Sequence, residues 1–488
     1  MSAILCHTNI SEVVSKYPPK PVQSLTLTPG KFLVSLTWED PKDYTEEGYT
    51  CTWVKTVVVR KQGSYPNDVH DGTVVVTTVE RDKYKTSGYD DTGLTGGETY
   101  YYRVFTCSTD GVYGEPAEGT AVPVQYRIMT VTINLDNSNP ATCGNYADDA
   151  ITMEPGKTDS ATTMWQKFFG YKPCLFKDGK VVGYLNPNDF TKFEDGSDAD
   201  ITSGDAGDVM IQFPRRGVRI SKSGNVLTLS MTDNPNDSSF KYYAHQRGSI
   251  NKDYFYLGVY DGWVSGNKLR SLSGKSPTVS TSLNQFDSYG KANGTGYGCM
   301  GYYQWLFIQA MYVLQFKGNL NSQSTVGYGN CSGGSIKNTG RSNTNGMIYG
   351  DSNVAKLFGI EDAWGNISQL VNNYYSNSNY HVTTTTDDTV TDVNNYTDRG
   401  SYGGSSSTGW KFYTDCIGTT EAGFTLTYGG KNGSSTTYFC DLSNFYSNYV
   451  PAVGGYCGQS DYAGLFCFGV SWNRGGRDSY AGSRIVFL

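Results

Sequence analysis

Charge is scarce in this 488-residue sequence: Asp, Glu, Lys and Arg together make up 17% of it. So low a fraction does not suit a disordered chain or a coiled coil. The balance is mildly acidic, with 39 Lys+Arg against 46 Asp+Glu and a net charge of −7. That leaves no electrostatic footprint for nucleic acid or anionic lipid. Histidine occurs four times, as His7, His70, His245 and His381, with no HExxH or Ser/His/Asp setting around it. The eleven cysteines are odd in number, scattered and free of any CxxC, so neither a disulfide scaffold nor a zinc site is indicated. Free thiols in a protein folded in a reducing cytoplasm are the plain reading. Long apolar runs are missing too. The longest, around Trp305–Phe316, is too short to span a bilayer. The start, Met1–Lys16, lacks a basic stretch followed by an apolar one, so no Sec signal peptide is read there. No fixed-period repeat occurs, which argues against solenoids and propellers.

Aromatics and turn formers are plentiful: 39 Tyr, 21 Phe, 8 Trp and 58 Gly. With abundant Ser, Asn and Thr they favour short strands, many turns and exposed aromatic surface, and exclude a mostly helical bundle. The length suits two to four domains. Residues 1–17 read as a polar leader, closed by Pro18, Pro19 and Pro21. From 18 to 126 the pattern is all strand, as in the alternating Leu33-Val-Ser-Leu36-Thr-Trp38 and the stretch Gly93-Leu94 to Val104. This predicts a small antiparallel sandwich. Residues 127–265 read as a β-rich subdomain and 266–488 as a further α+β domain. Tyr302–Phe316 is the one clear helix, apolar nearly all round and hence buried. Residues 319–345 and 376–409 read as long polar loops. The fold class is therefore mainly β, with an α+β C-terminal part.

Two resemblances follow from particular residues. Trp38, with Leu94 followed by Tyr100, resembles the buried Trp and the corner Leu and Tyr of a fibronectin type III domain over about a hundred residues. That resemblance implies a spacer or attachment module with no chemistry of its own. The order of the Tyr302 helix, Trp364-Gly365-Asn366, Pro451-Ala-Val-Gly454-Gly455, Ala463-Gly-Leu-Phe466 and Gly482-Ser483-Arg484 resembles the C-type lectin fold in its formylglycine-generating-enzyme-like branch. Within that branch it is similar to phage tail proteins and to the variable proteins of diversity-generating retroelements. Gln369-Leu370 stands where the family's segment carries Glu-Trp. The resemblance implies a virion tail location, partners among tail proteins and a homo-oligomer, with a trimer as the form considered.

Catalysis is not legible. Cys457 and Cys467 lie where the oxidase branch keeps its thiols, but their neighbours do not match, and small buried thiols explain them better. The pairs Glu361/Asp362, Asp387/Asp388 and Asp90/Asp91 read as solvated or turn-forming carboxylates. Calcium loops of lectin type are absent; Pro187-Asn188 follows Asn186 rather than Glu or Gln. No catalytic residue, metal or cofactor is assigned.

The terminal segment carries the functional expectation. From Gly454 to Leu488 there is no Lys, Glu, Met, Pro, Thr or His. Adenine-randomised AAY codons never yield Lys, Glu or Met, so the composition is what diversification implied by the resemblance leaves, with Gln459 and Trp472 fixed by template. Within a variable segment over 438–488 the expected ligand-binding residues are Tyr456, Asp461, Tyr462, Phe466, Phe468, Ser471, Trp472, Asn473, Arg474, Arg477, Asp478 and Tyr480. Stiff aromatics with Arg, Asp, Ser and Gly follow the composition of antibody paratopes and of interface hot spots. In Leu465-Phe-Cys-Phe468 alternation predicts that one pair, Leu465/Cys467 or Phe466/Phe468, faces inward and the other outward. The expected function is receptor binding at a phage tail tip or fibre, against a bacterial surface protein or glycan. A tail-associated glycan hydrolase and a passive virion decoration protein are the alternatives.

Overall fold

A computed structural model describes residues 17–403, 409–428 and 432–488. The greater part of the leader, with Cys6 and His7, lies outside the described residues. The chain divides into two compact units, residues 1–126 and 127–488.

The first unit is a two-sheet antiparallel sandwich. One sheet orders Gln23–Gly30, Leu33–Glu39 and Tyr89–Thr92; the other orders Thr73–Thr78, Trp53–Gln62, Tyr100–Ser108 and Ala117–Ala121. Period-two alternation drives every second side chain of Leu33–Glu39 inward, so Val34, Leu36 and Trp38 meet Val58, Tyr102 and Val104 from the opposing sheet. Tyr100 Oη accepts from the Thr95 N–H at 3.0 Å, tying the strand to the corner before it. Asp91 is buried rather than solvated, held by Arg60 at 2.6 Å and by the Tyr102 hydroxyl at 2.8 Å.

The second unit is also mostly β. A seven-stranded antiparallel sheet runs in the order Asp189–Phe193, Lys180–Asn186, Lys172–Lys177, Asp208–Pro214, Tyr254–Gly258, Ile485–Phe487, Tyr297–Cys299. The final strand thus slots between two strands that precede it by about two hundred residues. This sheet, and one continuous apolar core, cross the division expected at 265/266, so 127–265 and 266–488 form one body. A four-stranded antiparallel sheet (Gly144–Asp148, Ile128–Asn134, Val226–Thr232, Gly217–Ser223) packs in the same core.

Three helices of eight or more residues are present among the described residues. α1 (Asp159–Phe169) begins at Thr158, whose hydroxyl accepts from Ala161 N–H, and ends at Gly170 in the left-handed conformation. α2 (Leu283–Lys291) opens with a Ser282/Gln285 capping box. α3 (Tyr302–Gln315) is buried on all fourteen residues, as its nearly all-round apolar pattern predicts, and its three glutamines donate to the carbonyls of Ala244, Leu465 and Gly156. Trp165, Phe168 and Phe169, three aromatics in five residues, fall in α1, whose sequence signals are the Thr158 cap and the Gly170 stop. The polar stretch 376–409 is not all loop. Tyr374–Ser376, His381–Thr384 and Thr397–Ser401 pair into a three-stranded sheet.

Beside α3, His245 is fully buried, edge-on to Phe255 and Phe307, with Nε2 3.3 Å from the Phe213 carbonyl. Desolvation pushes its imidazole down to about 3. In the unfolded chain His titrates near 6.5, so below that pH only the unfolded state takes the proton. The neutral ring's contribution to stability is complete above about pH 6.5 and is lost progressively as pH falls toward 3. A His245→Phe variant is expected to lack this slope. Between about pH 6.5 and 4.5 the wild type should lose roughly 2 kcal/mol relative to it in urea unfolding. Parallel pH dependence of the two proteins would contradict the buried neutral imidazole.

Candidate binding groove on the terminal segment

A five-stranded sheet carries the terminal segment. Its order is Ser443–Phe445, Phe468–Trp472, Val450–Val453, Ser368–Leu370, Ala481–Gly482, with parallel pairing at both edges. Loops from this sheet surround a groove of about 520 Å³, lined by Tyr456, Gln459, Tyr462, Trp472, Asp478, Tyr480, Trp410, Leu442 and Ser368. That size lies within the roughly 300–1,000 Å³ of ordinary ligand pockets. Five of the twelve sequence-predicted residues, Tyr456, Tyr462, Trp472, Asp478 and Tyr480, therefore converge on one surface.

Each is positioned by local chemistry. Tyr456 and Tyr480 stack with centroids 4.8 Å apart. The Tyr480 N–H donates to Asp478 Oδ1 at 2.7 Å, and its carbonyl accepts from Ser368 N–H at 2.8 Å. Trp472 opposes Val450 at the end of two interior strands of the sheet. Leu442 N–H donates to the Tyr462 carbonyl at 3.1 Å, fixing the loop that presents that ring. Beneath the loop, the buried Asp441 carboxylate accepts from Phe466 N–H at 2.7 Å; burial raises its pKa well above the ordinary range. Asp441 presses so close to Gly464 (φ 155°) that any Cβ there would meet both carboxylate oxygens at 2.3 Å.

The other expected residues do not line the groove. Phe466 and Phe468 are core residues, 3% and 6% exposed. Phe466 packs on Phe424 and Tyr312, Phe468 on Tyr374 and Phe445. Leu465 and Cys467 are buried as well, so the expected one-in, one-out alternation fails. The reason is geometric: Ala463–Cys467 is a turn rather than a strand, covered by α3 on one side and by Phe439 and Phe445 on the other. Asp461, Asn473 and Arg477 are exposed and Ser471 half-buried, all outside the lining. Arg474 turns away to donate to Asn284 Oδ1 at 2.7 Å.

Sequence reading missed Ser368, Trp410, Leu442, Gly458, Gln459 and Ser460. Trp410 comes from outside the terminal segment. Lys411 and Ser443 exchange two backbone hydrogen bonds of 2.9 and 3.0 Å, which lays the indole on the sheet over Gly469, where a Cβ would approach it to 2.8 Å. Among the described residues of this unit, four large aromatic side chains are classed by area as exposed, namely Tyr254, Trp410, Tyr462 and Tyr480; three of them border this groove.

Behind it lies an ionic network. Arg484, wholly buried, donates to Asp261 Oδ1 at 2.7 Å, to Gln369 Oε1 at 2.7 Å, and to the carbonyls of Val259, Asp362 and Glu361. Asn366 bridges Asp261 at 3.0 Å and accepts from Lys337 N–H at 2.8 Å and Asn330 Nδ2 at 3.0 Å. Gln369 therefore gives Arg484 an uncharged acceptor, and Asp261 supplies the counter-ion. Burial pushes the Asp261 carboxyl up to about 6, with Arg484 pulling the other way. Glu361 and Asp362, expected to be solvated, are buried: Glu361 accepts from Gly340 N–H, Ser342 N–H and Ser342 Oγ, and Asp362 pairs with Arg341. Asp388 is half-buried and pairs with Arg247 at 2.9 Å, and no group of three His, Cys, Asp or Glu among the described residues is arranged to hold a metal ion. The ten described cysteines are buried free thiols; desolvation raises those of Cys457 and Cys467, which keeps both protonated.

No family model matches the chain, and no curated protein does. Among solved structures the chain is similar to the fourth FNIII domain of a human protein, determined in solution, at 20% identity over 24% of this chain and 92% of that one, with a TM-score of 0.18.

Proposed function

We propose that this chain is a receptor-binding protein of a phage tail tip or fibre, with a fibronectin type III-like module followed by a C-type lectin-like unit that holds its receptor in the aromatic groove. The observation that carries the reading is the convergence of Tyr456, Tyr462, Trp472 and Tyr480 on one concave surface. Tyr and Trp offer large, stiff contact area with a polar edge, which suits recognition. The three-plus-four strand sandwich, with Trp38 and Tyr100 in its core, supports the first assignment. The return of the last strand beside Tyr254–Gly258, and the Trp364-Gly365-Asn366 turn locked to Arg484 through Asp261, support the second. Binding is non-covalent, and copies on a virion would multiply weak contacts. The test is binding of the full chain to a panel of gut bacteria, beside a variant with Tyr456, Tyr462, Trp472 and Tyr480 changed to Ala. Binding by the parent and loss in the folded variant supports the reading; equal binding by both overturns the groove as the site.

A further inference from the structure

Resting on that reading, we propose that the groove takes an extended, uncharged oligosaccharide, whose far end is held by a second basin built mostly from residues that precede the terminal segment. The second basin, about 340 Å³, is lined by Trp410, Lys411, Phe412, Asn432, Gly433, Leu442 and Tyr462. It shares Trp410, Leu442 and Tyr462 with the first, so these three form a saddle between two adjoining depressions. Phe412 meets Tyr462 edge-on at 5.8 Å, which continues the aromatic surface past the saddle.

The chemistry of this surface selects the ligand class. Across both basins one carboxylate, Asp478, and one ammonium, Lys411, are the charged groups among the lining residues. The rest of the polar lining is hydroxyl and amide: Ser368, Gln459, Ser460 and Asn432. A sugar ring has a C–H face and a hydroxyl edge. Such a ring fits a flat aromatic face with neutral hydrogen-bonding groups beside it. Two adjoining depressions suit a chain of several rings better than one compact ligand. A ligand with several charges of one sign would find a single partner here, Lys411 or Asp478, and leave the rest unpaired.

The probes are arrayed bacterial polysaccharides and neutral oligosaccharides of one to about six units, tested against the full chain. Binding to at least one glycan is expected, rising at least about tenfold from one unit to four, as the second basin fills. Trp410→Ala and Phe412→Ala should lose that length dependence while still binding the shortest bound fragment. Gly469→Ala keeps the indole but pushes it off the sheet, and should act like Trp410→Ala. Far-UV circular dichroism and the melting temperature verify that each variant is folded. On cells that the chain binds, periodate, which cleaves sugar diols, should abolish binding and protease should not. Protease-sensitive, periodate-resistant binding with no glycan bound would overturn the saccharide while leaving receptor recognition standing. Binding to neither cells nor glycans would overturn both. Length-independent glycan affinity would overturn the second basin.

Discussion

Replacing Arg484 by Leu is expected to abolish the cooperative unfolding transition of residues 127–488. The guanidinium is fully buried and donates to six oxygen partners, including the Asp261 carboxylate. Breaking a buried ion pair by removing one member costs about 3–5 kcal/mol. The Val259 and Asp362 carbonyls keep other donors, Glu361 N–H and Gln369 Nε2, while the Glu361 carbonyl and Gln369 Oε1 lose theirs, at about 1–3 kcal/mol each. Whole domains are stable by only about 5–15 kcal/mol, so the loss is comparable to everything the unit has. Arg484→Lys keeps the charge but offers one ammonium where three guanidinium nitrogens now reach different oxygens, and should fall between the two. Differential scanning calorimetry reads the result: the transition of residues 127–488 disappears in Arg484→Leu while that of residues 1–126 remains. A fall of the transition by only a few degrees would contradict the network as the clamp that fixes the last strand.

The second large effect is on binding. Single changes Trp410→Ala and Tyr480→Ala are each expected to weaken receptor binding by about thirtyfold or more, the loss of roughly 2 kcal/mol typical of a hot-spot aromatic. Both side chains are around two-fifths exposed, 42% and 38%, so neither change opens a core cavity and stability should shift by less than about 1 kcal/mol. Phe468→Ala is the contrast. It removes a buried ring beside Tyr374 and Phe445 and should cost about 3–5 kcal/mol of stability, reducing binding only through unfolding. Biolayer interferometry on immobilised receptor-bearing cell envelopes, paired with thermal melts, separates the two behaviours.

Local patterns that carry their own geometry were legible in the sequence. Leu33–Glu39 alternates and folds as a strand with Val34, Leu36 and Trp38 inward. The Tyr302 helix is apolar nearly all round and is buried all round. The aromatic content of the terminal segment pointed to four of the residues that line the groove, Tyr456, Tyr462, Trp472 and Tyr480. What stayed hidden depends on distant partners. Trp410 reaches the groove only because Lys411 pairs with Ser443, a contact no local pattern encodes. Phe466 and Phe468 are indistinguishable by composition from Tyr456 and Tyr480; α3 and Phe445 decide that they are core. Glu361 and Asp362 looked like surface carboxylates because adjacent acids usually are, and only the 340–342 turn and Arg341 allow their burial. Residues 404–408 and 429–431 of the stretch around Trp410 lie outside the described residues.

The most direct test of the groove as the receptor site is hydroxyl-radical footprinting of the full chain, free and bound to cells of a strain it recognises. Trp410, Tyr462 and Tyr480 should be oxidised in the free protein and protected when bound, while the equally exposed Tyr254 on the seven-stranded sheet keeps its reactivity. Protection of Tyr254, or of the sandwich's exposed Tyr49, with the three groove aromatics still fully oxidised would contradict it.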